Sequence, residues 1–258
     1  AVTSDTVELT NSHWRFSRLA LQAELGLQSL AVLNDFEALA LSLPRLGPQQ
    51  LRLHGAPLSA QGTMAVIGPG TGLGVAGVVQ TSTGWTALPG GGGHATLSAA
   101  DDFESQALAH VRQDHEHVSA ERLLSGIGLP TLHQAVAAVL GQAAPSLNAR
   151  DIVQRACAGQ DALCERTIDA FCALLGGFAG NVALTLGARG GVCIGGGIVP
   201  RLGDRFFASQ FRERFEAKGR FRGYLEAIPT ALITDTLVAL TGAAVAIEQS
   251  TDAVMLRA

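Results

Sequence analysis

MAVIGPGTGLGVAGVVQT, residues 64 to 81, holds two apolar runs, MAVIG and GVAGVVQT, around a turn in which Gly68, Gly70, Gly72 and Gly74 alternate. Two short β-rich runs joined by a glycine-rich turn predict a hairpin. Bare backbone can turn tightly there and aim successive N–H groups at an anion, and the Thr71 hydroxyl can donate to a phosphate oxygen. A Walker loop is excluded because GxxxxGK[ST] is absent, and a dinucleotide fingerprint because a strand follows where a helix is needed. On these residues alone a structural turn and a phosphate loop remain equal readings.

Outward from the hairpin, WTALPG (85 to 90) predicts a third strand, and LPGGGGH (88 to 94) then sets four glycines against His94. GVCIGGGIVPR (191 to 201) reads as a buried strand ending in Gly195, Gly196 and Gly197, the strand end at which open α/β sheets commonly hold ligands. Before the hairpin, VELT (7 to 10) and SLAVLND (29 to 35) predict strands around an amphipathic helix from Ser17 to Leu25. FEALALSLPRL is helical until Pro44, which forbids continuation and sets a junction near Arg45. Residues 101 to 188 are mostly helical, with breaks at Gly126, Gly128, Pro130, Gly141 and Pro145. A helix over 203 to 218, a strand near AIPTALI and a helix from about Leu237 to Gln249 complete the pattern. Strand and helix alternate at both ends around a helical middle. The expected class is α/β, with a small domain of residues 1–45 completed by 237–258, a large domain of 46–236, and a cleft between them.

At 258 residues the chain can bury a large core, and its 47% apolar and 16% charged content describes a globular protein. A formal charge of −4 offers no attraction for nucleic acid or an anionic membrane, so the expected partner is a small molecule. Cys157, Cys164, Cys172 and Cys193 show no CxxC spacing and read as reduced, buried thiols of a cytoplasmic protein. AFCALLGGFAGNVALTLGA (170 to 188) is uncharged, yet its glycines and asparagine favour a buried core helix over a membrane span. His110, His115 and His117 lie near acidic residues, but no cysteine joins them and a metal site is not expected. The arginines and phenylalanines of 211 to 222 are interrupted by glutamates, which favours a solvated amphipathic helix over a nucleic-acid stripe.

Asn34-Asp35, GPGTGLGVA, LPGGGGH, HVSAERLLSG and GGVCIGGGIVPR stand in one order, and over nearly its whole length the sequence resembles bacterial glucokinases of the hexokinase and actin-like superfamily. TNSHWRFS (10 to 17), LNDFEALALSLP (33 to 44) and FRERFEAKGRFRGYL (211 to 225) add to the likeness; the cysteine-rich zinc element of the related repressor and kinase group is absent. The resemblance implies an RNase H-like two-domain fold, ATP with Mg²⁺, a hexose in the cleft, and a homodimer. It implies Asp35 as the base that accepts the proton of the sugar 6-hydroxyl, although by itself Asp35 also reads as a helix cap. Asn34, His94 and Glu121 would bond the sugar. Gly68, Gly70, Thr71 and Gly72 would hold the phosphates, and Gly195 to Gly197 the adenosine. Read alone, Glu121 is a first-turn carboxylate and His94 a structural histidine.

Two features depart from that family. Its sugar loop reads Leu-Pro-Gly-Glu-Gly-Gly-His, and here Gly91 occupies the glutamate position. The family's opening Asp-x-Gly-Gly-Thr-Asn phosphate segment does not occur in this sequence. The expectation is a glucokinase whose small domain is cut short at its N-terminus. The alternatives are a catalytically silent sugar-binding or regulatory homologue, an inactive fragment, or a kinase for another hexose or amino sugar.

Overall fold

Residues 64–67 and 191–194 are apolar almost without interruption, the pattern of strands covered on both faces, and the two segments pair. In the computed structural model of the protein the described residues are 4–8, 13–59, 61–82 and 84–255, with 250–255 described by backbone alone. Along the chain run β1 (Thr6–Glu8), β2 (Arg15–Ser17), α1 (Arg18–Glu24), α2 (Asp35–Ser42), β3 (Leu51–His54), β4 (Met64–Pro69), β5 (Leu73–Thr81) and β6 (Gly84–Gly90). Then follow α3 (Asp102–Val111), α4 (Leu129–Val139), α5 (Ala149–Cys157), α6 (Ala162–Leu186), β7 (Gly191–Ile194), α7 (Asp204–Phe207), α8 (Phe211–Glu216), α9 (Arg222–Glu226), β8 (Thr230–Ile233) and α10 (Val238–Met255). One six-stranded sheet has the order β3-β8-β7-β4-β5-β6, parallel at β8-β7-β4 and antiparallel elsewhere, and β1 pairs with β2 apart from it.

Side chains alternate across each strand, so β4 sends Met64 and Val66 to one face and Ala65 and Ile67 to the other, while β7 sends Cys193 one way and Val192 and Ile194 the other. Ala40 and Leu41 of α2 and Val238 and Val245 of α10 cover the first face. Segments 35–45 and 238–249, expected in a small domain, therefore share a core with the sheet of 46–236. Burial in this core pushes the Cys193 thiol up to about 12, so it stays protonated.

The second face packs on α6, whose start is capped by Asp161 accepting from the Leu163 and Cys164 N–H groups and whose end is Gly187 at φ 60°. This helix is long and apolar enough to cross a membrane by length and composition, but 72% of its most apolar window is buried inside the fold. Gly176 and Gly180 face the carbonyls of Phe211 and Phe215 so closely that a methyl at either would overlap backbone. The small-residue face thus serves helix packing in the core, as the sequence suggested. The same device joins the helices of the first face, where Gly242 of α10 lies against the Ala38 carbonyl of α2.

Several expectations change. Residues 29–34 form no strand: among the described residues no ladder runs beside them, and β-propensity alone does not make one. Of VELT, residues 9 and 10 lie outside the described residues. The helix expected over 203–218 splits into α7 and α8, because Ser209 Oγ donates to Phe206 O (2.6 Å) and accepts from Phe211 N (3.2 Å), a local bond that competes with the helix. Arg212 is not a solvated charge: its guanidinium donates to the carbonyls of Ile228 (2.8 Å) and Glu226 (3.0 Å) and pairs with Glu216. Cys157, expected to be buried, is exposed at the end of α5. Short β2 and β3 escaped the sequence reading.

His133 is fully buried, and its Nδ1 lies 2.9 Å from Thr167 Oγ1, which donates to Leu163 O (2.8 Å). That hydroxyl must then accept from Nδ1–H, which leaves the buried Nε2 without a partner. Burial holds the His133 imidazole below the ordinary histidine range, as it does His54. The unfolded chain binds these protons first, so stability is intact above about pH 6.5 and is lost as pH falls below it. Denaturant midpoints are expected to drop between pH 7.5 and 5.5, and His133→Leu to flatten that slope; an unchanged slope would count against the buried neutral imidazole. Gly242→Ala should cost about 1–3 kcal/mol through overpacking against α2, read as a lower unfolding midpoint.

Candidate active site

Because β4 and β7 are parallel neighbours, the glycine turns after them lie side by side at one edge of the sheet. Gly195 N donates to Ile67 O (2.8 Å) and Ile198 N to Pro69 O (3.2 Å). Gly196 has φ +76°, and a side chain there would run into the Pro69 carbonyl, so this position requires glycine.

Over the hairpin stands the start of α2. Asn34, in extended backbone, is the N-cap, with Oδ1 accepting from Phe36 N at 2.9 Å. Asp35 is the first helical residue and exposed, and its Oδ1 accepts from the same N–H at 2.9 Å. The cap is therefore Asn34, and the carboxylate of Asp35 borders the cleft.

A segment outside any helix, 119–128, stitches the glycine loop that ends in His94 to the hairpin. Glu121 N donates to Gly93 O (2.8 Å), Ala120 N to Ala95 O (2.8 Å) and Gly126 N to Gly70 O (2.7 Å). The Glu121 carboxylate accepts from Leu73 N through Oε2 (2.8 Å), and Oε1 lies 3.8 Å from His94 Nδ1. Glu121 is thus no first-turn helix carboxylate, since the next helix begins at Leu129. One of its oxygens holds the hairpin and the other faces His94.

A cleft of about 480 Å³ brings together Asn34, Asp35, Gly68, Gly70, Thr71, Gly72, Gly91, His94, Glu121 and Gly196. Gly195 and Gly197 line an adjoining cleft of about 450 Å³, which shares Asp35, Phe36 and Gly196 with the first and includes Arg201 and Asp235. The Leu237 N–H and then the Gln50 amide hold the Asp235 carboxyl below the usual carboxylate range. At Gly91 an added Cβ would meet only His94 Cδ2 at 3.6 Å, an ordinary contact. His115 and His117 border a third hollow that opens from Thr71, His94 and Glu121; His117 Nε2 lies 3.1 Å from Thr96 Oγ1. Among the described residues no group of three His, Cys, Asp or Glu converges as metal ligands do.

Sequence reasoning missed Phe36, Arg201 and Asp235. Arg201 stood in the GGGIVPR motif and could have been named from it; the other two carry no local signal, since only packing brings them to the clefts.

The glucokinase family model matches residues 1–250. A glucokinase of Aromatoleum aromaticum is 49% identical over 250 residues, covering 96% of this chain and 76% of the relative. One of Chromobacterium violaceum is 49% identical over 241 residues, covering 93% and 69%. Among solved structures, a glucokinase from an Antarctic psychrotroph superposes with a TM-score of 0.90 at 38% identity, over 96% of this chain and 77% of that one. More distant sugar kinases, such as a Streptomyces griseus glucokinase solved with glucose and AMPPNP (TM-score 0.57, 18% identity), share the actin-like ATPase fold. With the family model matched over residues 1–250 and close relatives at 49% identity, the chain belongs to the glucokinase family.

Proposed function

We propose that the chain transfers the γ-phosphoryl group of ATP to the 6-hydroxyl of glucose, with Asp35 as general base. The observation that carries this reading is the Asp35 carboxylate bordering one cleft together with the phosphate hairpin, the His94 loop and Glu121. Asp35 accepts the O6 proton as O6 bonds to the γ-phosphorus and the bond to the β-γ bridging oxygen breaks, which releases ADP; the proton then passes to solvent. Asp35 Oδ1 already accepts the Phe36 N–H, which orients the carboxylate and leaves Oδ2 for O6.

Asn34, with Oδ1 used in the cap, offers its Nδ2 group to a sugar oxygen. Glu121, with Oε2 used on Leu73, offers Oε1, and His94 stands beside it as a further partner. The Thr71 hydroxyl and the backbone N–H groups of Thr71 and Gly72 fit phosphate oxygens, while Gly70, whose N–H closes the turn on Gly72 O (2.9 Å), leaves open space where a side chain would stand. Gly195 to Gly197, whose cleft adjoins that hairpin, fit the adenosine side. Mg²⁺, which neutralises charge on the transferring phosphates when bound, would arrive on ATP; among the described residues no group of three His, Cys, Asp or Glu converges to hold it. We further assign two lobes that close over both substrates, a homodimer, and a cytoplasmic location.

The silent-homologue alternative is not favoured, because the relatives at 49% identity are glucokinases. A coupled ADP-release assay should detect turnover of glucose, and a panel of other hexoses and amino sugars should be slower. Asp35→Asn is expected to lower kcat by about 10²- to 10⁴-fold with glucose binding retained; turnover within tenfold of the parent would remove Asp35 from the role of base. Gly91→Glu places its Cβ at an ordinary 3.6 Å from His94 Cδ2 and adds a charged acceptor, so glucose should bind on the order of 10- to 100-fold more tightly by calorimetry. An unchanged dissociation constant would mean that position 91 does not face the sugar.

A further inference from the structure

Gly68 and Gly74 are cross-strand partners at the mouth of the hairpin, and the ring of Phe36 lies across that pair. A methyl on either glycine would overlap the ring, so the aromatic face sits directly on backbone. Phe36 also donates its N–H to Asn34 Oδ1 and Asp35 Oδ1, both at 2.9 Å. One residue thus touches the phosphate hairpin through its side chain and the Asp35 carboxylate through its main chain.

From these contacts we infer that Phe36 is a positioning residue, which fixes the distance and angle between the Asp35 carboxylate and the Gly70–Gly72 turn; this rests on the kinase reading above. Two features of α2 support the need for such an anchor. Its buried side chains run from Glu37 and Ala38 through Ala40, Leu41 and Ser42, toward its C-terminal end, so Asp35 itself is exposed, and the segment 29–34 that leads into it belongs to no helix or strand. Phe36 lines both clefts and is only half-buried, whereas a ring serving the core alone would be turned inward. The alternating glycines gain a second explanation: Gly68 and Gly74 seat the ring, while Gly70 stays open to the cleft.

A cycle of substitutions in the full chain, assayed for ADP release, separates positioning from packing. Phe36→Ala should lower kcat on the order of 10- to 100-fold, the cost of misplacing a reacting group by about 1 Å, while KM for glucose and MgATP moves less than about threefold. Phe36→Leu, which keeps apolar bulk over the glycines, should recover part of the loss and supplies the measurement should the alanine variant fold poorly. Added to Asp35→Asn, either substitution should lower the residual kcat no further, because a misplaced carboxylate matters only when the carboxylate is present. Equal losses in both backgrounds, or a loss carried by KM with kcat intact, would reduce Phe36 to a packing residue and overturn the inference. Parental turnover by Asp35→Asn alone would instead overturn the base assignment, and the inference with it.

Discussion

Everything that places the site follows from one short parallel ladder, Met64–Ile67 of β4 against Gly191–Ile194 of β7. Parallel strands end on the same side, so this pairing brings two glycine turns that are remote in sequence to a common edge. Both strands are covered on both faces, by α2 and α10 on one side and α6 on the other, which shields the ladder from water. Shifting it by one residue would send each apolar side chain to the opposite face and set the glycine turns out of step.

Around that ladder, close approach is achieved by leaving out side chains. α10 reaches α2 through Gly242, α6 reaches α8 through Gly176 and Gly180, and Phe36 reaches the hairpin through Gly68 and Gly74. Each seat brings backbone or ring nearer than any Cβ would allow, and a core packed at crystal-like density has no slack to accept one. The cleft inherits this rigidity, because its loops are tied by main-chain bonds such as Glu121 N to Gly93 O and Gly126 N to Gly70 O. Glu121 links the hairpin to the histidine loop, with one oxygen on Leu73 N and the other beside His94.

Much of this was legible in the sequence, for physical reasons that differ by element. The hairpin and β7 were readable because apolar runs punctuated by glycine have few other solutions, and α6 because its small-residue face and lack of charge suit a core. The strand expected over 29–34 was not realised, since a strand exists only where a partner lies beside it. The helix over 203–218 broke where a serine hydroxyl satisfied backbone groups locally, and Arg212 turned inward to cap carbonyls that no sequence pattern announces. Cys157 looked apolar by company yet falls on the exposed side of α5.

For the site, the sequence by itself determined the chemistry on offer: a carboxylate after an asparagine, glycine turns free of side chains, and a histidine at the end of a run of four glycines. Tertiary structure alone decided how these are used. It tied one oxygen of Glu121 to the hairpin, set Phe36 across two glycines and brought Asp235 to the cleft beside Asp35. Composition and spacing record which groups a chain carries, but which atoms are already committed to hydrogen bonds depends on contacts between segments far apart in the chain, and these form only when the fold closes.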